Sequence, residues 1–72
     1  MARRQRTRSL PLAELRQLVP AMDEHLSRFV EPKNLPPTGR VWFARDGRIT
    51  SCEVRERKRY DALSIRHSMR FR

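Results

Sequence analysis

The sequence lacks the features of a disulfide-stabilised or membrane-spanning protein. It contains one cysteine, Cys52, so an internal disulfide cannot form and no oxidising compartment is required. No apolar run approaches the roughly 18 residues of a membrane helix. The apolar stretch after the basic N-terminus is interrupted by Glu14, Arg16 and Gln17, which is not typical of a signal peptide. We therefore expect a soluble, cytoplasmic chain of 72 residues that forms one small domain.

Acidic residues are scarce in two parts of the chain. There are 17 lysines and arginines against 8 acidic residues, a formal net charge of +9. Residues 1–9 hold four arginines and no acid, whereas residues 10–39 are nearly neutral. Residues 40–72 hold ten basic and four acidic residues. All but two of the basic residues are arginines, whose planar guanidinium binds phosphate or carboxylate in a bidentate manner. The composition favours an anionic partner such as nucleic acid.

The N-terminal segment has no apolar periodicity. Residues 1–8 are predicted to form a disordered arm, and residues 9–72 a single domain. The arm contains Arg3, Arg4, Arg6 and Arg8, which we expect to bind phosphates. The alternative is a solvated tail that aids solubility.

Residues 12–30 have the spacing of an amphipathic helix. Ser9 is the expected N-cap, and Pro11 lies in the first turn, where its missing N–H costs little. Pro20 removes a backbone hydrogen bond and clashes with the preceding turn, so it predicts a kink or a break. The proline-rich residues 31–38 are predicted to be a connector without helical or strand pattern.

The C-terminal half predicts three antiparallel strands at about residues 40–45, 48–56 and 62–71. Asp46 and Gly47 are typical of a two-residue hairpin turn, which would fix the register of the first two strands. The predicted fold class is α+β: a kinked helix, or two short helices, packed on a three-stranded meander.

The predicted sheet has one apolar and one cationic face. Directly opposed residues share a face, and the turn register opposes Arg40 to Glu53 as a cross-strand ion pair. The face that the helix would cover comprises Val41, Phe43, Val54, Leu63, Ile65, Met69 and Phe71. The other face would show Arg40, Trp42, Ile49, Glu53, Arg55, Arg66 and Arg70.

The pattern predicts a small, basic, non-enzymatic nucleic-acid-binding protein with a regulatory role. Trp42 would stack on a base, an interaction worth about 1–3 kcal/mol, while arginines bind phosphates. Binding to DNA or RNA would be non-specific or led by shape, because no element is suited to reading base edges. The predicted contact residues are Arg3, Arg4, Arg6, Arg8, Arg40, Trp42, Arg55, Arg57, Lys58, Arg59, Arg66 and Arg70.

Two other binding functions remain open. Trp42 and Ile49 on a sheet face also suit an interface with an acidic protein that this chain would regulate or inhibit, or a homodimer. Two helices in residues 11–30 followed by a hairpin wing also resemble a winged helix-turn-helix. Against that, no helix precedes residue 11, and Asp23 and Glu24 make the would-be recognition helix poorly cationic.

Catalysis is the least supported function. A toxin-like ribonuclease could place His25 or His67 with Arg66, Arg70 and Tyr60 around a phosphate. General acid–base catalysis needs two titratable groups that converge on the scissile bond, and the spacing brings no such pair together. We expect no enzymatic activity, no catalytic residue and no cofactor.

The candidate metal ligands are His25, His67 and Cys52, which lack the spacing of a zinc site, so no metal is expected. His25 is predicted to be partly buried at the helix edge and Cys52 to be a small core residue. His67 falls on the apolar face of the last strand, where it needs a hydrogen-bond partner or a position at the sheet edge.

Overall fold

A computed structural model describes residues 6–58 and 64–71, in which two helices pack on a four-stranded antiparallel sheet. The predicted α+β class is confirmed, with four strands in place of three. The elements in order are β1 (Arg6–Pro11), α1 (Leu12–Leu18), α2 (Pro20–Phe29), a 3-10 helix (Pro32–Asn34), β2 (Thr38–Phe43), β3 (Ile49–Arg57) and β4 (Ser64–Arg70).

The additional strand, β1, pairs with β2 and forms one edge of the sheet, whose order is β1-β2-β3-β4. It contains Ser9, which therefore does not cap the helix; α1 follows directly from Pro11. It also contains Arg6 and Arg8, which the sequence placed in a disordered arm. The pairing with β2 and the burial of Leu10 explain this difference, since tertiary context commonly outweighs a weak local pattern. The rest of the predicted arm lies outside the described residues.

Pro20 separates two helices and does not merely kink one. Val19 between them has φ −126° and ψ 84°, which is not helical, and Pro20 occupies the first turn of α2. A proline is tolerated there because its missing N–H would have no partner within the helix. The apolar stripe continues across the break, so Leu15, Met22 and Leu26 are all fully buried. Both helices consequently cover the same side of the sheet.

The predicted hairpin register is confirmed only as far as Trp42, which opposes Ser51. At the next position Phe43 opposes Ile49, so Thr50 is the extra residue of a bulge. The Thr50 hydroxyl donates a hydrogen bond of 3.3 Å to the Trp42 carbonyl. The bulge turns Ile49 towards the core, where it packs against buried residues, and removes it from the opposite face where the sequence had placed it.

The core lies between the helices and the side of the sheet that they cover, called the inner face below. Most of the predicted apolar face is confirmed, but Ile65 is 43% exposed and Leu63 lies outside the described residues. Buried apolar side chains in the described residues are Leu10, Leu12, Leu15, Val19, Met22, Leu26, Val30, Val41, Cys52 and Val54.

The close approach of α1 to β2 depends on Gly39. A Cβ atom on this residue would lie 2.6 Å from Leu15 Cδ1 and 3.2 Å from the Glu53 carbonyl oxygen. Glycine therefore lets the helix seat Leu15 directly on the inner face of the sheet.

Candidate nucleic-acid interface

The sheet side opposite the helices, called the outer face below, is cationic as the sequence predicted. Alternate residues of a strand point to opposite sides. Because Val41, Cys52 and Val54 are buried beneath the helices, their neighbours in β2 and β3 point outward. Within the described residues the outer face carries Arg40, Trp42, Arg55, Arg57, Arg66 and Arg70.

Trp42 lies on β2, a central strand of the sheet, and its side chain is partly exposed on the outer face. It is flanked by two small side chains, Thr7 on β1 and Ser51 on β3. Ser51 in turn opposes Arg70 on β4. Two strand spacings of about 4.8 Å place Arg70 about 10 Å from Trp42 across the sheet. Trp42, Ser51 and Arg70 line a shallow depression of about 830 Å³ that is open to solvent.

Most arginines of the outer face form no ion pair with a described residue. Glu53 is the only carboxylate on this face within the described residues, and its Oε2 lies 3.0 Å from Arg55 Nε. The predicted ion pair between Arg40 and Glu53 is wrong, although the two residues are opposed in the register. Arg55 also lies directly opposite Arg66, an arrangement of like charges that destabilises a sheet. An anion bound between these strands would relieve the repulsion.

A second depression, of about 480 Å³, extends the outer face along the proline-rich connector. Pro36 and Pro37 form one side of it, and Arg40, Arg55 and Arg57 contribute the cationic groups. The two depressions share Glu53, so they adjoin on the outer face between Trp42 and Arg57.

Several predicted contact residues do not lie on the outer face. Arg6 and Arg8 oppose core-facing residues of β2, so their exposed side chains extend on the inner side of the sheet. Lys58 Nζ lies 3.3 Å from the Glu56 carboxylate and is engaged there. Three further predicted residues lie outside the described residues: Arg3, Arg4 and Arg59.

The inner face contains a polar cluster that the sequence did not predict, called the His–Glu chain below: His25, His67 and Glu56. His25 Nε2 lies 2.9 Å from His67 Nδ1, and His67 Nε2 lies 3.0 Å from Glu56 Oε1. Asn34 Nδ2 is 3.5 Å from Glu56 Oε2, which also faces Lys58. The Glu56 side chain is only 6% exposed. The hydrogen bond from His67 lowers the pKa of the Glu56 carboxyl, with help from Lys58 and against the effect of burial.

A signal for this cluster was present in the sequence. The alternation that buries Cys52 and Val54 also points Glu56 inward, and a buried carboxylate needs partners. Val54 opposes His67, so the histidine lies on the same face as Glu56, which is two residues along β3 from Val54. His67 satisfies both predicted conditions, since it has hydrogen-bond partners and lies on an edge strand.

The His–Glu chain and the arginines lie on opposite sides of the sheet. Arg66 and His67 are neighbours in β4 and point in opposite directions. A ribonuclease site with His67, Arg66 and Arg70 around one phosphate is therefore not formed. Within the described residues no three His, Cys, Asp or Glu side chains are arranged so that they could hold a metal ion. Cys52 is a core residue as predicted, and burial raises the pKa of its thiol.

Comparison of this chain with protein-family models, with curated proteins and with solved structures found no match. None of the helices in residues 6–58 and 64–71 has the length and apolar character needed to cross a membrane.

Proposed function

We propose that this protein is a non-enzymatic, regulatory nucleic-acid-binding protein whose outer face contacts the phosphate backbone. The observation that supports it is the outer face itself: five arginines and a tryptophan share one uncovered side of the sheet with a single carboxylate, counted over the described residues. Arginine binds phosphate oxygens through paired N–H donors, so such a surface suits a polyanion.

Binding of this kind is independent of base sequence. Side chains that read base edges usually stand on a helix or a two-stranded ribbon that enters the major groove. Here both helices bury their apolar stripe on the sheet. The basic residues of the helices are also engaged: Arg16 Nε lies 2.6 Å from Asp23 Oδ1, and Arg28 lies 3.9 Å from Glu24. The outer face is therefore a better interface than α2 would be as a recognition helix.

The test is a salt titration by fluorescence anisotropy, using the full-length protein and a labelled oligonucleotide. Log affinity should fall linearly with log salt, because phosphate contacts release counterions. Arg66→Thr should reduce the slope by about 0.7–0.9 and weaken binding about fivefold near 0.1 M salt. Arg28→Ala removes one positive charge from the helix side of the protein. It should change the salt slope and the affinity less than Arg66→Thr does.

Two results would contradict the proposal. One is the absence of binding near physiological salt. The other is an equal loss of affinity in Arg66→Thr and Arg28→Ala, which would mean that only net charge matters and that the outer face is not the site.

An acidic protein partner is the second candidate. The part-buried Trp42 among arginines is the observation in its favour, since such residues are enriched in protein interfaces. The bulge weakens this candidate, because Ile49 packs towards the core and cannot serve as the second apolar anchor. Binding to a protein that persists at high salt and requires Trp42 would favour it over nucleic acid.

A further inference from the structure

We infer that the outer face takes single-stranded nucleic acid in preference to a duplex, an inference that rests on the proposed function. Three observations support it: the width of the sheet, the position of Trp42 within it, and the distribution of the arginines around Trp42.

The sheet is too wide to place Trp42 against a base inside a regular duplex. Four strands about 4.8 Å apart span about 14 Å between the axes of the two edge strands. The major groove of B-DNA is about 12 Å wide and admits a helix or two strands, and the minor groove is about 6 Å wide. Trp42 lies on β2 and is flanked on both sides by paired strands. The edge strands would meet the duplex backbone before Trp42 reached a base.

Trp42 is also poorly shaped to act as a wedge between stacked base pairs. Proteins that kink a duplex insert apolar side chains that project from their surface. Trp42 is partly buried, and it lies in a shallow depression. A base that has already left its stack can lie on the indole ring there, which is how sheet surfaces bind single strands.

The arginines mark a path for a flexible backbone. Arg70 lies across the sheet from Trp42, and Arg40 is two residues along the same strand, about 7 Å away. From the row of Ser51 to that of Arg57, β3 extends about 20 Å along the strand, with Arg55 and Arg66 opposed between them. A single strand that stacks one base on Trp42 can follow these cations along β3 and β4.

The experiment uses the intrinsic fluorescence of Trp42, which is the only tryptophan in the sequence. The full-length protein is titrated at low salt with a 12-nucleotide single strand of DNA, the same strand of RNA, and the DNA duplex. This length lies within the range of about 4–16 nucleotides that one OB-fold, another sheet-based binder of single strands, covers. Inorganic polyphosphate serves as the probe that offers charge without bases. The two single strands also show whether DNA or RNA is preferred.

Single strands should bind at least about tenfold more tightly than the duplex and quench Trp42 fluorescence, because a stacked base contacts the ring. Polyphosphate should bind without comparable quenching. Trp42→Ala should weaken single-strand binding about 5- to 150-fold, and Trp42→Phe should retain most of it because a ring remains. Because both variants lack the tryptophan, their binding is measured by the fluorescence anisotropy of a labelled strand. Circular dichroism of both variants checks that the sheet is intact.

The outcomes separate the inference from the proposed function. Duplex binding as tight as single-strand binding would overturn the inference and leave the proposed function standing. Preferential single-strand binding without quenching would overturn the stacking geometry on which the inference depends. If none of the three nucleic-acid probes binds, the proposed function itself is overturned, whether or not polyphosphate binds.

Discussion

The outer face and the His–Glu chain use charge in opposite ways, although β3 and β4 contribute residues to both. On β3, Arg55 points outward and Glu56 inward; on β4, Arg66 points outward and His67 inward. The outward arginines are exposed, and Arg66 forms no ion pair with any described residue. Inside, both oxygens of Glu56 have partners. Within the described residues no buried side-chain polar atom lacks a hydrogen bond.

The cost of leaving a charge unpaired explains the difference. An exposed guanidinium is solvated by water, so leaving it without an ion pair costs the folded protein little free energy and keeps it available to a ligand. A buried carboxylate without partners costs several kcal/mol, so its partners must belong to the fold. Substitutions in the His–Glu chain should therefore act on stability, and substitutions on the outer face should act on binding.

The largest expected effect is that of Glu56→Ala. It leaves His67 without the acceptor at 3.0 Å and empties a buried position, so the free energy of unfolding should fall by about 3 kcal/mol. A domain of this size has a total stability of only roughly 4–10 kcal/mol. Urea denaturation followed by circular dichroism measures the change.

Glu56→Gln is the matched variant for this prediction. It makes the same change in net charge but keeps an oxygen that can accept the hydrogen bond from His67, so it should lose less stability than Glu56→Ala. Affinity for nucleic acid, measured where both variants are folded, should not fall. A fall in affinity with stability unchanged would mean that the two regions are not separate.

Acid should weaken the His–Glu chain specifically. The pKa of Glu56 is lowered in the folded protein, so the folded state favours the charged carboxylate. Its stabilising contribution is complete above the ordinary glutamate value of about 4.3 and is lost as the pH falls through the lowered folded value. The stability difference between wild type and Glu56→Gln, measured by denaturation from about pH 5 to pH 3, should shrink as the pH falls. A difference that grows below about pH 5 would contradict the assignment.

The sequence predicted the fold class well because its signals are local. Alternation along β4 and helical spacing up to Val30 are properties of short segments, and proline chemistry predicts a kink or a break at Pro20. A turn at Gly47, with φ 90°, was also recognisable. The predicted two-residue loop is wrong, because the Ala44 N–H bonds to the Arg48 carbonyl and leaves three residues in the loop. Strand β1 was missed because only its pairing with β2 and the burial of Leu10 stabilise it, and neither is visible in a segment of arginines.

The site was predicted in part for the same reason. Register from the hairpin turn placed Trp42 among the arginines correctly, since alternation fixes the faces. The predicted register placed Ile49 on the wrong face. A bulge adds one residue to β3, so Ile49, on the turn side of the bulge, points to the face opposite to the predicted one. His25 and His67 are 42 residues apart in the chain, and their contact depends on how α2 packs over β4. No local pattern carries that information.

A smaller effect is expected from His25→Leu, which ends the His–Glu chain at His67. The substitution removes the partner 2.9 Å from His67 Nδ1 but keeps apolar bulk beside Phe29, whose ring centroid lies 5.0 Å from that of His25. Loss of one hydrogen bond should lower the free energy of unfolding by about 1 kcal/mol. His25→Gln, which can still bond to His67, should lose less in the same urea denaturation. Equal stability of His25→Leu and wild type would mean that the contact contributes nothing.

The smallest expected change has the opposite sign. Arg66→Thr removes the like charge opposite Arg55 and places a β-branched residue in a strand, so stability should rise by about 0.2–0.5 kcal/mol at low salt. The gain should shrink as salt screens the repulsion, whereas Arg66→Lys, which keeps the charge, should show little gain. A loss of stability at every salt concentration would instead mean that the Arg66 side chain stabilises the folded protein.

A bound oligonucleotide should reverse the order of stability of wild type and Arg66→Thr. A ligand present at 100 times its dissociation constant stabilises the folded state by about 2.7 kcal/mol. At one fixed concentration of single-stranded oligonucleotide, wild type should therefore gain more stability than the weaker-binding Arg66→Thr. The variant that is the more stable alone would become the less stable in the complex, and thermal melts with and without oligonucleotide measure both. That reversal is expected if Arg66 binds the ligand. It is not expected if Arg66 only contributes to the stability of the folded protein.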